Sequence, residues 1–466
     1  MPPKKSSRKL KREIEISNET DSTIDDKIIV NTDYIPIINN LIDSKNNIFD
    51  FKNDVKFSTN IDYPRFQFGF QHFIHQSKDK MHITEEFKNK KKVYQVMNPF
   101  ERYIDNYEED IGKVSKVYFK IEKDTPDILS RGFYKLWEIL MMYDLINLDN
   151  KNFVSTHLAE GPGSFIQATM FYREKFSKYW KDDNYYAVTL HPEDEGTHVP
   201  ELEKEFVKYY EKEKPQRFIQ HKTYPKQVAG GSREKDNGDI TNPKTIVLFG
   251  GSMKEKADFI TADGGFEWKN ENIQEQEAFR LIFGQIVAAI MNQKKGGHFV
   301  CKFFETFTIT SIKFLAILKA CYTKVEVVKP LTSRASNSEK YFICMDFKYN
   351  DKDKEFKTIS EKLLDSLKTI HKEQKLKIVD IFSDWKPDEE FLKNILAFNI
   401  KIENEQFKAI NEIIRFIDAQ NYYGDTYQMN RQKQINAAKF WNSAFLPKDK
   451  NSLESNRKYI KKYFNL

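Results

Sequence analysis

Residues 152–165 read NFVSTHLAEGPGSF. A β-prone run ends there in a Gly-Pro-Gly turn and gives way to the helix-prone SFIQATMFYREKF (164–176). Gly161 and Gly163 permit a tight bend and close approach of a ligand to the backbone, and Pro162 stiffens it. A strand, a tight turn and a helix form the opening unit of an α/β sheet. Ligands of such sheets sit at the carboxyl ends of the strands, so this turn is where a site is expected.

The alternation continues outward from that turn. YYAVTL (185–190), ADFITAD (257–263), GGHFVCKFF (296–304), KVEVVKP (324–330) and EKYFICMDF (339–347) read as strands. SRGFYKLWEILMMYDLI (130–146) carries Phe133, Leu136, Ile139 and Leu140 on one side of a helix. QEQEAFRLIFGQIVAAIMNQ (274–293) and ITSIKFLAILKACY (309–322) are further helices. RFIQHKTY (217–224) is a candidate strand, and PKTIVLFGGSMKEK (243–256) has strand propensity with its state left open. Strands alternating with helices predict a parallel-rich, Rossmann-like α/β sheet covered by helices on both faces.

The chain of 466 residues divides into four parts. Residues 1–30 are basic, then acidic and polar, and read as a disordered tail. KKSSRKLKR within it suits a nuclear-import-like address, a nucleic-acid tether or a plain solvated tail. Residues 31–120 mix aromatic and charged segments and read as an N-terminal accessory region. Residues 121–350 hold the α/β domain. Residues 351–466 read as a helical C-terminal extension, through EKLLDSLKTIHKEQKLKIVDIF, EQFKAINEIIRFIDAQ and QINAAKFWNSAF.

The net charge of +6 permits a polyanionic partner without demanding one. Lysines number 62 against 13 arginines, a ratio that, with abundant Asn and Ile, reflects AT-rich coding of the kind found in protists and large DNA viruses. Three scattered cysteines exclude a disulfide framework and a zinc knuckle and fit a reducing, intracellular compartment. No apolar run reaches the ~18–20 residues needed to span a bilayer, so no membrane partner is expected. The basic start has no apolar segment of a secretory signal; nucleus, cytoplasm (including a viral factory) and virion remain equally compatible. His72 and His75 lie three apart without a nearby acid or cysteine, so they read as ordinary aromatic-cluster histidines and no metal is expected.

Five segments stand in one order: RGFYKLWEIL (131–140), HLAEGPGSF (157–165), DFITADGGF (258–266), FVCKFFETF (299–307) and SRASNSEKYFI (333–343). They contribute Lys135, Glu160–Gly163, Asp263, Lys302 and Glu339. A lysine beside carboxylates can be held in place and tuned as a base. The turn is neither a dinucleotide fingerprint, whose third glycine would fall at Ile166, nor a P-loop, which needs Lys-Ser/Thr. An anionic Glu160 opposes a pyrophosphate and suits a cation.

This order of Lys, E-G-P-G, A-D-G-G, strand Lys and S-R-x-x-x-S-E-x-Y resembles the FtsJ-like RNA ribose 2′-O-methyltransferases. The wording of the second and third motifs is most similar to the cap-specific, adrift-type branch. The resemblance covers about Ser130 to Phe347 and implies a helix for PKTIVLFGGSMKEK, against its strand propensity. It implies S-adenosylmethionine as cofactor, with Glu160, Gly161, Pro162, Gly163, Ser164, Phe165, Asp239 and Asp263 around it. Glu193 and Asp194, after the second strand, are further candidates for the cofactor ribose. It implies a Lys135-Asp263-Lys302-Glu339 tetrad in which Lys302 is the base and Asp263 orients it. Among apolar neighbours, desolvation is expected to lower the proton affinity of Lys302. Lys329, Arg334 and Ser336 are expected to contact RNA. The implied partner is RNA, with capped mRNA ahead of rRNA or tRNA, and with capping or transcription machinery as possible company. A catalytically silent RNA-binding subunit is the reading from another class.

Overall fold

The computed structural model describes residues 36–87, 96–121, 125–191, 201–213, 217–220, 237–265, 270–420 and 422–466. The basic tail, Glu193 and Asp194 lie outside the described residues.

Among the described residues there are ten strands: β1 (Ile37–Leu41), β2 (Val55–Ser58), β3 (Val154–Leu158), β4 (Asn184–Val188), β5 (Phe218–Gln220), β6 (Ala257–Ala262), β7 (Gln293–Phe303), β8 (Tyr322–Lys329), β9 (Lys340–Phe347) and β10 (Lys377–Ile381). Eight form one sheet in the order β1-β8-β9-β7-β6-β3-β4-β5. From β7 through β6, β3 and β4 to β5 every neighbour is parallel. β9 runs antiparallel between β7 and β8. The chain leaves β3 toward β4 and β5, then crosses back to β6 on the other side. The strand order therefore reverses between β3 and β6, which is where a doubly wound sheet opens a ligand crevice.

Period-two burial builds two cores from one sheet. Ile260, Cys301, Phe303, Phe342 and Cys344 face one side, which the helices Phe279–Asn292, Ile309–Cys321 and Lys354–Lys372 cover. Phe259, Val300, Tyr341 and Ile343 face the other, under the helices Gly132–Met142 and Ser164–Phe176. The three cysteines are buried free thiols. Among the described residues no helix is long and apolar enough to cross a membrane.

Several local readings change in the folded chain. PKTIVLFGGS is a helix (Pro243–Ser252), started by the Asn242 side chain accepting from the Lys244 amide, with Pro243 in its first turn, where a missing N–H costs nothing. The helix Gly132–Met142 is buried nearly all round, with Lys135 only half-buried. Both flanks enter the fold. β1 pairs with β8 and extends the large sheet. KIVDI, read above as part of a helix, is strand β10 and pairs with β2 from the N-terminal region. Its Ile-Val-Asp-Ile run has the branched side chains that suit a pleated surface. His75 has an acid partner after all, because the fold brings Glu305 within 2.8 Å of its Nε2.

Candidate active site

The carboxyl ends of β3, β6 and β7 lie side by side, since Leu158 pairs with Ala262 and Ala262 with Cys301. The next residues, Asp263 and Lys302, meet there. Lys302 Nζ lies 3.0 Å from Asp263 Oδ1 and donates to the Asp263 carbonyl at 2.7 Å. Antiparallel β9 starts at the same edge, with Tyr341 opposite Lys302. The Tyr341 hydroxyl donates to Asp263 Oδ1 at 3.0 Å. Just before β9, Glu339 takes Lys135 Nζ at 2.7 Å and the Ser333 hydroxyl at 2.8 Å. Four residues from four elements thus converge as two largely buried ion pairs.

The electrostatics differ from expectation at Lys302. Burial pulls its proton affinity down, but Asp263 and Glu339 outweigh burial, and the net shift is upward. The resting side chain is an ammonium. At Glu339 burial pushes the carboxyl up, yet Lys135 and Lys302 prevail and hold it well below the usual range.

Glycines set how closely these groups approach. A Cβ at Gly264 would fall 2.3 Å from Gln285 Oε1 and 2.9 Å from the Ala159 Cβ. A Cβ at Gly265 would sit 3.2 Å from Lys302 Nζ. The A-D-G-G segment is therefore the shape that lets β6 end against the lysine.

The turn after β3 forms the adjoining wall. Ala159 is left-handed, with φ of 50°, and Gly163 has φ of 112°. Glu160 is buried, and its Oε1 accepts from the amides of Phe165 and Ile166 at 2.7 and 2.9 Å, capping the helix Ser164–Phe176. Its Oε2 is buried with no hydrogen-bond partner among the described residues. Burial pushes this carboxyl up to about 8, and Asp263 adds to the push against the two amides and Lys302. Such an orphaned acid beside a ligand crevice fits a cationic group. Gly161 and Pro162 are half-buried in the turn. The Ser164 hydroxyl is 2.6 Å from that of Ser130, and the Phe165 ring lies 5.8 Å from that of Tyr341. Asp239 sits in a loop held to the end of β4, where the His191 amide donates to the Asn237 carbonyl. Its Oδ1 accepts from the Thr241 amide at 2.9 Å, an Asx turn.

Of the residues expected at RNA, Lys329 is corrected. It is 5% exposed, and its Nζ donates to the Asn337 and Glu339 carbonyls and to Asn337 Oδ1. Burial pulls its ammonium down to about 7 although Glu339 opposes this. It is a brace for the loop carrying Glu339 and has no reach to a phosphate. Arg334 and Ser336 are half-buried on that loop, where the Ser336 carbonyl accepts from Gln406. Tyr341 and Ser333 were not singled out from sequence, though both stand inside the S-R-x-x-x-S-E-x-Y motif. Among the described residues no cluster of His, Cys, Asp and Glu could hold a metal ion.

A sheet ordered in this way, with an acid-led glycine turn at its switch point, defines the class of Rossmann-like methyltransferases. Residues 128–347 match the model of the FtsJ-like methyltransferase family. Members of that family use S-adenosylmethionine. The chain is 30% identical over 241 residues to cap-specific mRNA (nucleoside-2′-O-)-methyltransferase 2 of Drosophila melanogaster, covering 50% of this chain and 32% of that protein. It is 33% identical over 188 residues to cap-specific mRNA (nucleoside-2′-O-)-methyltransferase 1 of Mus musculus, covering 39% and 22%. With the Homo sapiens protein of that name it shares 38% over 118 residues, covering 24% and 14%. The match thus spans a third or less of these relatives' own length.

Proposed function

We propose that the protein is an S-adenosylmethionine-dependent RNA ribose 2′-O-methyltransferase acting on the mRNA cap. The observation that carries this is the convergence of Lys135, Asp263, Lys302 and Glu339 beside the Glu160–Phe165 turn. Buried ion pairs seldom stabilise a fold more than apolar packing of the same volume, so two at a ligand edge weigh toward chemistry. The names of the fly, mouse and human relatives support the cap as the substrate. Such a substrate places the reaction after those that build the cap.

S-Adenosylmethionine, when bound, supplies an electrophilic methyl group on a positively charged sulfur. Glu160 would face its cationic end, the Gly161–Phe165 turn would wrap it, and Asp239 would approach its adenine. A ribose 2′-hydroxyl is a very weak acid, so a base must take its proton as the new bond forms. Lys302 is that base. Its resting ammonium loses affinity for the proton once a second positive charge and a water-excluding ribose lie beside it. Asp263 fixes Nζ through both its carbonyl and its carboxylate, and Tyr341 fixes Asp263. Lys135, held by Glu339, positions the ribose, and the remaining rate gain comes from alignment of hydroxyl and methyl. Arg334 and Ser336 lie where the RNA backbone would pass.

The test is transfer of radiolabelled methyl to matched capped, N7-methyl-capped and uncapped RNAs, followed by nuclease mapping, with Lys302→Ala alongside. Label at a 2′-oxygen near the cap, absent in the variant, is the expected result. Label on uncapped structured RNA moves the assignment to rRNA or tRNA. Cofactor binding without transfer to any RNA overturns the catalytic reading in favour of a silent subunit.

A further inference from the structure

Glu101 lies outside the matched domain, in the N-terminal flank, yet it meets the site. It is 6% exposed. Arg131 Nη1 donates to its two carboxylate oxygens at 2.7 and 2.8 Å. Arg334 Nε donates to Oε1 at 3.0 Å, and Asn98 Nδ2 donates to the same oxygen at 2.9 Å. Arg131 Nη2 also donates to the Thr332 carbonyl at 2.6 Å. Two guanidinium groups on one carboxylate leave a net positive charge. Both stay in contact with solvent, with side-chain exposures of 24% for Arg131 and 34% for Arg334.

The position is as telling as the charge. Arg131 immediately precedes the helix Gly132–Met142 and stands four residues before Lys135. Residues four apart on a helix have Cβ atoms about 5–6 Å from one another. That is about the separation of a ribose hydroxyl from a phosphate that flanks it. The positive end of the same helix points to this spot. A carboxylate with two arginines is also an economical way to hold two like charges together before an anion arrives, since each guanidinium is oriented by directed hydrogen bonds.

We infer that Arg131 and Arg334 form a site for the phosphodiester next to the target ribose, and that Glu101 is its positioning residue. This rests on the reading of the protein as an RNA methyltransferase. Glu101 touches no reacting atom; it fixes the two arginines and ties the N-terminal flank to substrate binding. The occupant is a phosphate group, so sequence readout is not expected here, and the contribution is to register and affinity.

The experiment measures binding of a short capped single-stranded RNA at several salt concentrations, and steady-state methylation, in the full chain. Arg334→Ala should flatten the dependence of log affinity on log salt by about one unit, the signature of one lost phosphate contact. Glu101→Gln should raise the KM for RNA about tenfold, the scale of one charge-assisted hydrogen bond, with kcat changed far less. Glu101→Asp should recover part of that loss. In an Arg131→Ala/Arg334→Ala background, Glu101→Gln should add nothing further. S-Adenosylmethionine affinity, measured without RNA, should be the same in all variants. An unaltered salt slope for Arg334→Ala, with methylation intact, overturns the phosphate site and leaves the function standing. An equal loss from Glu101→Gln in both backgrounds overturns the positioning role. Wild-type protein that binds the cofactor but methylates no RNA overturns the functional reading; the salt slope of RNA binding then decides the phosphate site by itself.

Discussion

Cofactor binding should release a proton, and Glu160 is the reason. Its carboxyl is buried and pushed up to about 8, with one oxygen capping a helix and the other unpaired among the described residues. At pH 7, one unit below that value, about 0.9 of the molecules carry the proton by the ordinary titration relation. A cation set against the unpaired oxygen favours the carboxylate. The sign follows: the unliganded protein holds the proton and the liganded one does not. Affinity for S-adenosylmethionine should therefore rise with pH, by up to about tenfold per unit below pH 8, and level off above it. The same linkage makes this group lower the stability of the unliganded protein as pH rises from the ordinary 4.5 toward 8, because the folded chain there binds more protons than the unfolded one. Glu160→Gln keeps an acceptor for the Phe165 and Ile166 amides and removes the titration. Calorimetry at pH 6 to 9, in buffers of different ionisation enthalpy, reads proton release directly. The expected result is close to one proton released at pH 7 in the wild type and none in the variant, which should bind more weakly at pH 9. A wild-type affinity that is flat from pH 6 to 8, without proton release, would refute the reasoning.

The other predictions are more local. Lys302→Ala should abolish methyl transfer and leave cofactor affinity nearly unchanged; turnover near the wild-type level would remove Lys302 as the base. Gly163→Val forces a branched side chain into φ of 112°, with its Cβ 3.2 Å from Leu129 Cδ1, at about 1–3 kcal/mol of backbone strain. Weaker S-adenosylmethionine binding in calorimetry is expected, and unaltered binding would take the turn out of the site. Asp263→Asn removes an anion that raises the proton affinity of Lys302, so the acid limb of the pH–rate profile should move to lower pH while the maximal rate falls. An acid limb that stays in place or moves up contradicts that pairing. Glu138→Ala orphans the amides of Leu331 and Thr332 and the indole N–H of Trp441, each worth about 1–3 kcal/mol when buried unpaired. A large drop in the thermal midpoint should follow, and a shift of only a degree or two would deny the brace.

The strands that build the crevice were legible because each is a short apolar run closed by a turn signal, a pattern that local sequence carries. Lys135, Asp263, Lys302 and Glu339 were singled out because each lies within a recognisable motif, and the sheet register brings them together. What escaped was long-range pairing. Lys329 was expected at RNA, yet Asn337 and the Glu339 carbonyl take its Nζ, and β1 pairs along that edge with Ile37 opposite Lys329. Nothing near Ile37 in sequence announces such a partner. Glu305 beside His75, Glu101 beside Arg334 and the pairing of β10 with β2 share this cause: the partners are hundreds of residues apart, and no local period records them. Lys302 was misjudged electrostatically for a related reason. Its apolar neighbours are visible in FVCKFF, whereas the two carboxylates that outweigh them arrive from other segments.

The loop of residues 330–339 joins these observations. It carries Glu339, Ser333 and Arg334, yet it has no regular structure of its own. The matched domain supplies some of its anchors: Lys329 holds the Asn337 and Glu339 carbonyls, Glu138 takes two loop amides, and Gln274 accepts from Ser338. The flanks supply others. Gln406 holds the Ser336 carbonyl, Glu101 holds Arg334, and Trp441 supports Glu138 from the far side. Glu403 lies 3.5 Å from Lys340, the residue after Glu339, in a pair without solvent contact. A carboxylate on an irregular loop keeps its place only through such anchors, since each loose torsion admits other positions. Both flanks are thereby part of what fixes Lys135 and Glu339, and their separation in sequence from the five motifs says nothing about their distance from the chemistry.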